Sequence, residues 1–161
     1  MWMMLFFCAV VFTLWLAASA MAGEFTGPVV GILDGDTIEV LHKKRPERIR
    51  LSGIDCPEKD QPFGDKAKYA ASALVFGKEV TVQTQGKDKH RGMLAEVLLS
   101  DGSSVNKLLV AGGWCWWYPK YGLQNRELKR LESEARIGKR GLWTDPYPVP
   151  PWEWQKWRKR P

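Results

Sequence analysis

The chain has 161 residues, with 24 Lys+Arg against 18 Asp+Glu and a formal net charge of +6. That length fits one ordinary domain and excludes a large multidomain enzyme, while 45% hydrophobic and 12% aromatic residues exclude wholesale disorder. Two histidines and three cysteines, with no C-x-x-C, are too few for a Cys/His structural zinc site.

Residues 1–22, MWMMLFFCAVVFTLWLAASAMA, carry no charged side chain, and Glu24 is the first in the chain. Ala18-Ser19-Ala20 and Ala20-Met21-Ala22 are small-x-small patterns that suit a signal peptidase, although Met1-Trp2-Met3-Met4 lacks Lys and Arg. A signal peptide cleaved after Ala20 or Ala22 is the first expectation and an uncleaved membrane anchor the second. Either one implies export, to the periplasm or outside the cell. The charged residues all follow this leader, and a field of +6 favours nucleic acid or an anionic membrane surface as partner. A merely basic soluble protein fits the same number.

Pro28 to Leu33 and Asp36 to His42 are β-rich runs joined by Asp34-Gly35, a hairpin signal. Lys43-Lys44-Arg45-Pro46 reads as a second turn and Glu47 to Ile54 as a third strand; Asp55 to Pro62 is a loop. Phe63 to Phe76 places Ala67, Ala70, Ala71, Leu74 and Val75 at helical spacing, closed by Gly77. Glu79 to Thr84 and Met93 to Leu99 read as strands, and Ser104 caps a short helix through Ala111. Trp114 to Tyr118 is a short extended segment, and Leu128, Leu131 and Ala135 mark one face of a charged helix ending near Gly138. The pattern predicts a mainly β fold with α additions, a five-stranded barrel with about three helices. Residues 147–161 combine prolines with Trp152, Trp154 and Trp157 among Lys156, Arg158, Lys159 and Arg160, and read as a linker or docking arm. Cys56 and Cys115 remain beyond the leader, and a disulfide and two free thiols are equal readings.

The signatures of serine hydrolases, dinucleotide sites and P-loops are missing, which leaves carboxylates, arginines and a hard metal to carry chemistry. These concentrate in Asp34-Gly35-Asp36-Thr37 and in Arg50 through Glu58. Asp34 is accounted for by the turn that Asp-Gly favours. Asp36 shares strand phase with Ile38 and Val40, and Asp55 with Ile49 and Leu51, so both carboxylates take the core-facing phase. Such a placement is costly unless the group is paired or bound to a cation such as Ca²⁺ at the barrel mouth. Two solvated carboxylates beyond the strand ends fit equally well. Arg50 falls in the opposite phase, so a role beside them needs a bend at Ser52-Gly53; otherwise an ion pair with Glu39 or Glu47 accounts for it. Glu58, after Pro57, sits where an acid or base beside a metal would sit, as would any solvated loop glutamate.

Asp34-Gly35-Asp36-Thr37, then Arg50 through Asp55-Cys56-Pro57-Glu58, then Gly138-Lys139-Arg140-Gly141-Leu142-Trp143 resemble the staphylococcal (micrococcal) nuclease, or thermonuclease, family. The resemblance covers residues 27–146 and implies an OB-fold barrel and a Ca²⁺-dependent endonuclease. Such an enzyme hydrolyses phosphodiester bonds of DNA and RNA to leave 3′-phosphates. It further implies that Asp36, Asp55 and the Cys56 carbonyl hold Ca²⁺, that Glu58 orients or deprotonates the attacking water, and that Arg50 grips the phosphate. The family usually has Thr where Cys56 stands, and a carbonyl ligand survives that change. A second arginine expected in the family aligns without gaps on Gly92, and Arg91, one residue early, is assigned its role. Lys89, Tyr118 and Tyr121 suit phosphate contact or base stacking, and ordinary surface and packing roles suit them as well.

A monomer acting on nucleic acid, single strands preferred, is the expected form, with the tail adding weak contact to a membrane or envelope surface. The alternative is an OB-fold nucleic-acid-binding protein with impaired catalysis. Asp36, Asp55, Glu58 and Arg50 favour the enzyme, and the Arg91-Gly92 order favours the binder.

Overall fold

The structure, a computed structural model, describes residues 23–87, 92–122 and 125–159. Among the described residues seven strands run in chain order as β1 (Glu24–Asp34), β2 (Thr37–His42), β3 (Arg45–Leu51), β4 (Ile54–Asp55), β5 (Glu79–Lys87), β6 (Met93–Leu98) and β7 (Trp116–Trp117). Five of them close into a barrel in the order β1-β2-β3-β6-β5, while β4 and β7 form a separate two-stranded ladder. All barrel pairings are antiparallel except β3 with β6. The barrel interior follows from strand alternation: Val29, Ile38, Val40, Ile49, Leu51, Val80, Val82, Ala95 and Val97 are buried.

The helices are α1 (Gly64–Val75), α2 (Val105–Ala111), α3 (Pro119–Gly122), α4 (Arg126–Ile137) and α5 (Pro151–Arg158), with a 3₁₀ turn over Gly141–Thr144. Ala67, Ala71 and Val75 recur at one-turn spacing on α1 and bury that face against the barrel. The Ser104 hydroxyl accepts from the Lys107 N–H and caps α2 as its sequence predicts. On α4, Leu128 and Ala135 are buried as expected, and Glu132 joins them.

Two elements differ from the expectation, and one open alternative is decided. Lys43 and Lys44 both take positive φ, 49° and 65°, which tightens the hairpin to those two residues and lets β3 begin at Arg45 with Pro46 inside it. Cys56 and Cys115 form a disulfide, linking the loop after β4 to the residue before β7. The stretch read as a linker or docking arm folds back as α5. Pro151 takes the first helical position, where its fixed φ and missing N–H are tolerated, and Trp152 packs edge-on to Trp116 at 5.8 Å between centroids. Trp116, Ala135, Leu142 and Trp143 are the buried members of the second apolar cluster that receives it. Among the described residues no helix is long and apolar enough to cross a membrane, and the leader expected over residues 1–22 lies outside them.

Candidate active site

The turn between β1 and β2 delivers Asp36. A Cβ on Gly35 would lie 2.9 Å from the Cys56 Cβ and 3.0 Å from the Ala67 Cβ, so glycine is what lets this turn close onto the next loop and α1. Asp36 is 2% exposed and hydrogen-bonded at both oxygens: its Oδ2 accepts the Cys56 N–H at 2.7 Å, and its Oδ1 accepts the Thr37 hydroxyl at 3.0 Å.

The bend that Arg50 requires is present. Gly53 has φ 72°, a left-handed conformation that reverses the chain after β3, and its carbonyl accepts the Tyr118 N–H at 2.9 Å. Asn106 holds the same turn from behind. Its side-chain amide donates to the carbonyls of Ser52 at 2.9 Å and Ala95 at 3.2 Å, and its Oδ1 accepts the Val97 N–H. β4 then sets Asp55 opposite Trp116 of β7. One guanidinium spans the two carboxylates: Arg50 donates from one terminal nitrogen to Asp36 Oδ1 and from the other to Asp55 Oδ1, each at 2.7 Å. The surface ion pair with Glu39 or Glu47 is thereby replaced by a double, partly buried one.

Burial pushes the Asp36 carboxyl up from the usual carboxylate range, against the attraction of Arg50 and the Cys56 N–H. Burial also raises Asp55, to about 7, with repulsion from Asp36 adding to it and Arg50 opposing. Two buried carboxylates bridged by one guanidinium are hard oxygen donors, the chemistry that takes a divalent ion such as Ca²⁺, and the residues fit that group. Among the described residues no three His, Cys, Asp or Glu side chains are arranged to hold a metal.

Arg50 and Asp55 line a cleft of about 270 Å³ together with, among others, Asp34, Thr37, Glu58, Tyr118 and Lys120, while Asp36 lies behind its wall. Asp34, for which the turn is the favoured account in the sequence, also lines the cleft. Trp152 and Gln155 of α5 line it too. Glu58 is reached from α5: its Oε1 accepts from Gln155 Nε2 at 2.6 Å and its Oε2 from Arg158 at 3.0 Å. Structure thus gathers Asp36, Arg50, Asp55, Cys56, Glu58 and Tyr118. Lys89 and Arg91, and the side chain of Tyr121, lie outside the described residues. Sequence reasoning missed Asn106, Trp152, Gln155 and Arg158. Of these only Asn106 left a signal, a lone amide in apolar phase between Val105 and Leu109.

The family model described as staphylococcal nuclease homologue matches residues 48–145. An Escherichia coli O157:H7 protein called "Uncharacterized endonuclease" is 44% identical over 135 residues, covering 84% of this chain and 88% of that protein. The "Micrococcal nuclease" of Shigella flexneri is 36% identical over 142 residues, covering 83% and 82%. The "Probable staphylococcal-like nuclease CAN1" of rice, Oryza sativa subsp. japonica, is 38% identical over 118 residues, 73% of this chain but 34% of that protein.

Proposed function

Because the chain belongs to the staphylococcal nuclease homologue family, we propose that it is an exported Ca²⁺-dependent nuclease that hydrolyses DNA and RNA and leaves 3′-phosphates. The observation that carries this reading is the Arg50 guanidinium held between buried Asp36 and Asp55 at the back of a cleft that Glu58 also lines. Ca²⁺, held by Asp36, Asp55 and the Cys56 carbonyl, would supply the positive charge that non-bridging phosphate oxygens need as the transition state forms. Arg50 adds a fixed planar fork whose orientation is set by two carboxylates before substrate arrives, so no reorganisation is needed at the moment of reaction. Glu58 accepts the proton of the attacking water. The new bond joins the water oxygen to phosphorus, the bond from phosphorus to the 5′-oxygen breaks, and that oxygen takes a proton from solvent water to leave as a hydroxyl, with the phosphate kept on the 3′ side. Arg91 is proposed to meet the phosphate opposite Arg50. Tyr118 and Lys120, both on the cleft wall, suit a base and a backbone phosphate of a single strand.

Residues 23–161 incubated with plasmid and oligoribonucleotide, in Ca²⁺ and in chelator, give the test. Cleavage is expected with Ca²⁺, only weakly with Mg²⁺, and not in chelator. Glu58→Gln should retain oligonucleotide binding and lose roughly a hundredfold in turnover. Undiminished cutting in chelator removes the metal from the reading, and a near-parent rate for Glu58→Gln removes Glu58. Binding without cleavage in any metal leaves a nucleic-acid-binding barrel.

A further inference from the structure

We propose that α5 is a wall of the active site, in which Gln155 and Arg158 are positioning residues that aim the Glu58 carboxylate into the cleft. The inference rests on Glu58 being the base of the proposed reaction.

Glu58 sits on the loop that follows β4, and a loop glutamate has three side-chain torsions with nothing in its own segment to fix them. The fixing groups come from the far end of the chain. Both carboxylate oxygens are taken by α5, one by the Gln155 amide at 2.6 Å and one by Arg158 at 3.0 Å. The loop backbone is tied to the same region: the Glu58 N–H donates to Gln61 Oε1 at 3.1 Å, and Gln61 Nε2 donates to the Val149 carbonyl at 2.6 Å. Arg158 also pairs with Asp60 at 3.1 Å, so its guanidinium bridges two acids of one loop.

The helix is placed to do this. Trp152, Gln155 and Arg158 recur at three-residue spacing and so share one face. Trp152 anchors that face, tilted against Tyr118 at 5.3 Å between ring centroids and edge-on to Trp116, the residue paired with Asp55. One ladder therefore seats the metal-binding carboxylate and the helix that holds the base. A largely exposed ion pair such as Arg158–Glu58 adds little stability, so its use lies in orientation. Each carboxylate oxygen accepts along two lone-pair directions, and one bond to each from α5 leaves the other for a water proton. A base displaced by about 1 Å can lose on the order of a hundredfold in rate.

Single-turnover and steady-state cleavage of an oligonucleotide in saturating Ca²⁺ reads the proposal out, using the full chain beyond the leader. Gln155→Ala combined with Arg158→Ala should lower kcat at least about tenfold while KM stays within about twofold. Arg158→Lys should recover part of what Arg158→Ala loses. In a Glu58→Gln background the same pair of alanines should cost nothing further, because their effect passes through Glu58. Near-UV circular dichroism of the Trp116–Trp152 cluster, unchanged in the variants, excludes undocking of the helix as the cause. A parent-like kcat for the double alanine variant overturns the proposal, as does a rise in KM alone or an equal further loss in the Glu58→Gln background. If Glu58→Gln by itself cuts at the parent rate, the function assigned to Glu58 has failed, and this inference fails with it.

Discussion

Asp55 serves two opposed demands. Its ionised carboxylate is what the proposed metal needs, and burial beside Asp36 is what resists that ionisation, lifting its pKa from 3.8 to about 7. A folded-state pKa raised in this way means that the fold binds the proton more tightly than the unfolded chain does. The stability this contributes is complete below about pH 4 and is lost as pH rises through about 7. Asp55→Asn keeps an acceptor for Arg50 without the buried charge. It should therefore abolish cleavage yet raise the stability of the chelated protein by on the order of 1–3 kcal/mol at pH 8, with a smaller gain at pH 5. Denaturant titrations in chelator at the two pH values check this; a less stable variant at pH 8 would mean that the Arg50 attraction outweighs burial. At this scale strand phase left Asp36 and Asp55 evenly between a core-facing and a solvated placement, because Asp36 sits in the turn before β2 and Asp55 beyond the reversal at Gly53. Arg50 could not be placed by phase either, because its partner carboxylates lie on either side of a reversal whose geometry depends on Gly53 and on the distant Asn106.

Among the elements, the barrel strands and α1, α2 and α4 were legible because each buries a periodic apolar set. The helix α5 was not. Its sequence, PWEWQKWR, sets Pro151, Trp154 and Trp157 at three-residue spacing among Glu153, Gln155, Lys156 and Arg158, and its one buried residue is the proline that starts it. Composition pointed to a docking arm that adds affinity, and such an arm can be cut away with saturated turnover unchanged. The packed helix alters that expectation. Truncation after Val149 removes Trp152 from the Trp116 cluster along with both donors to Glu58. It should cost on the order of 2 kcal/mol of stability for the lost aromatic burial. Turnover at saturating oligonucleotide should fall at least tenfold with it. Thermal melts and initial rates of the truncated chain measure the two losses separately, and unaltered turnover would return α5 to the role of a peripheral arm.

For the molecule as a whole, charge and length predicted a single basic domain, and turn chemistry at Asp34-Gly35 and Ser104 fixed the order of its parts. Pairing of Cys56 with Cys115 was the undecided point, because 59 residues of separation give no clue to proximity before the barrel and β7 are assembled. Once formed, the bond closes a long loop and joins the Asp36–Cys56 contact to the strand that seats Asp55. Its reduction, or Cys115→Ala, should cost about 4 kcal/mol, seen as a lowered denaturation midpoint that the parent regains on reoxidation. A thiol-rich cytosol keeps such cysteines apart, and an oxidising one outside it lets them join. A nuclease is a hazard to the genome of the cell that makes it. Were the chain exported as proposed, its loop would stay open beside its maker's own chromosome and close only beyond the membrane.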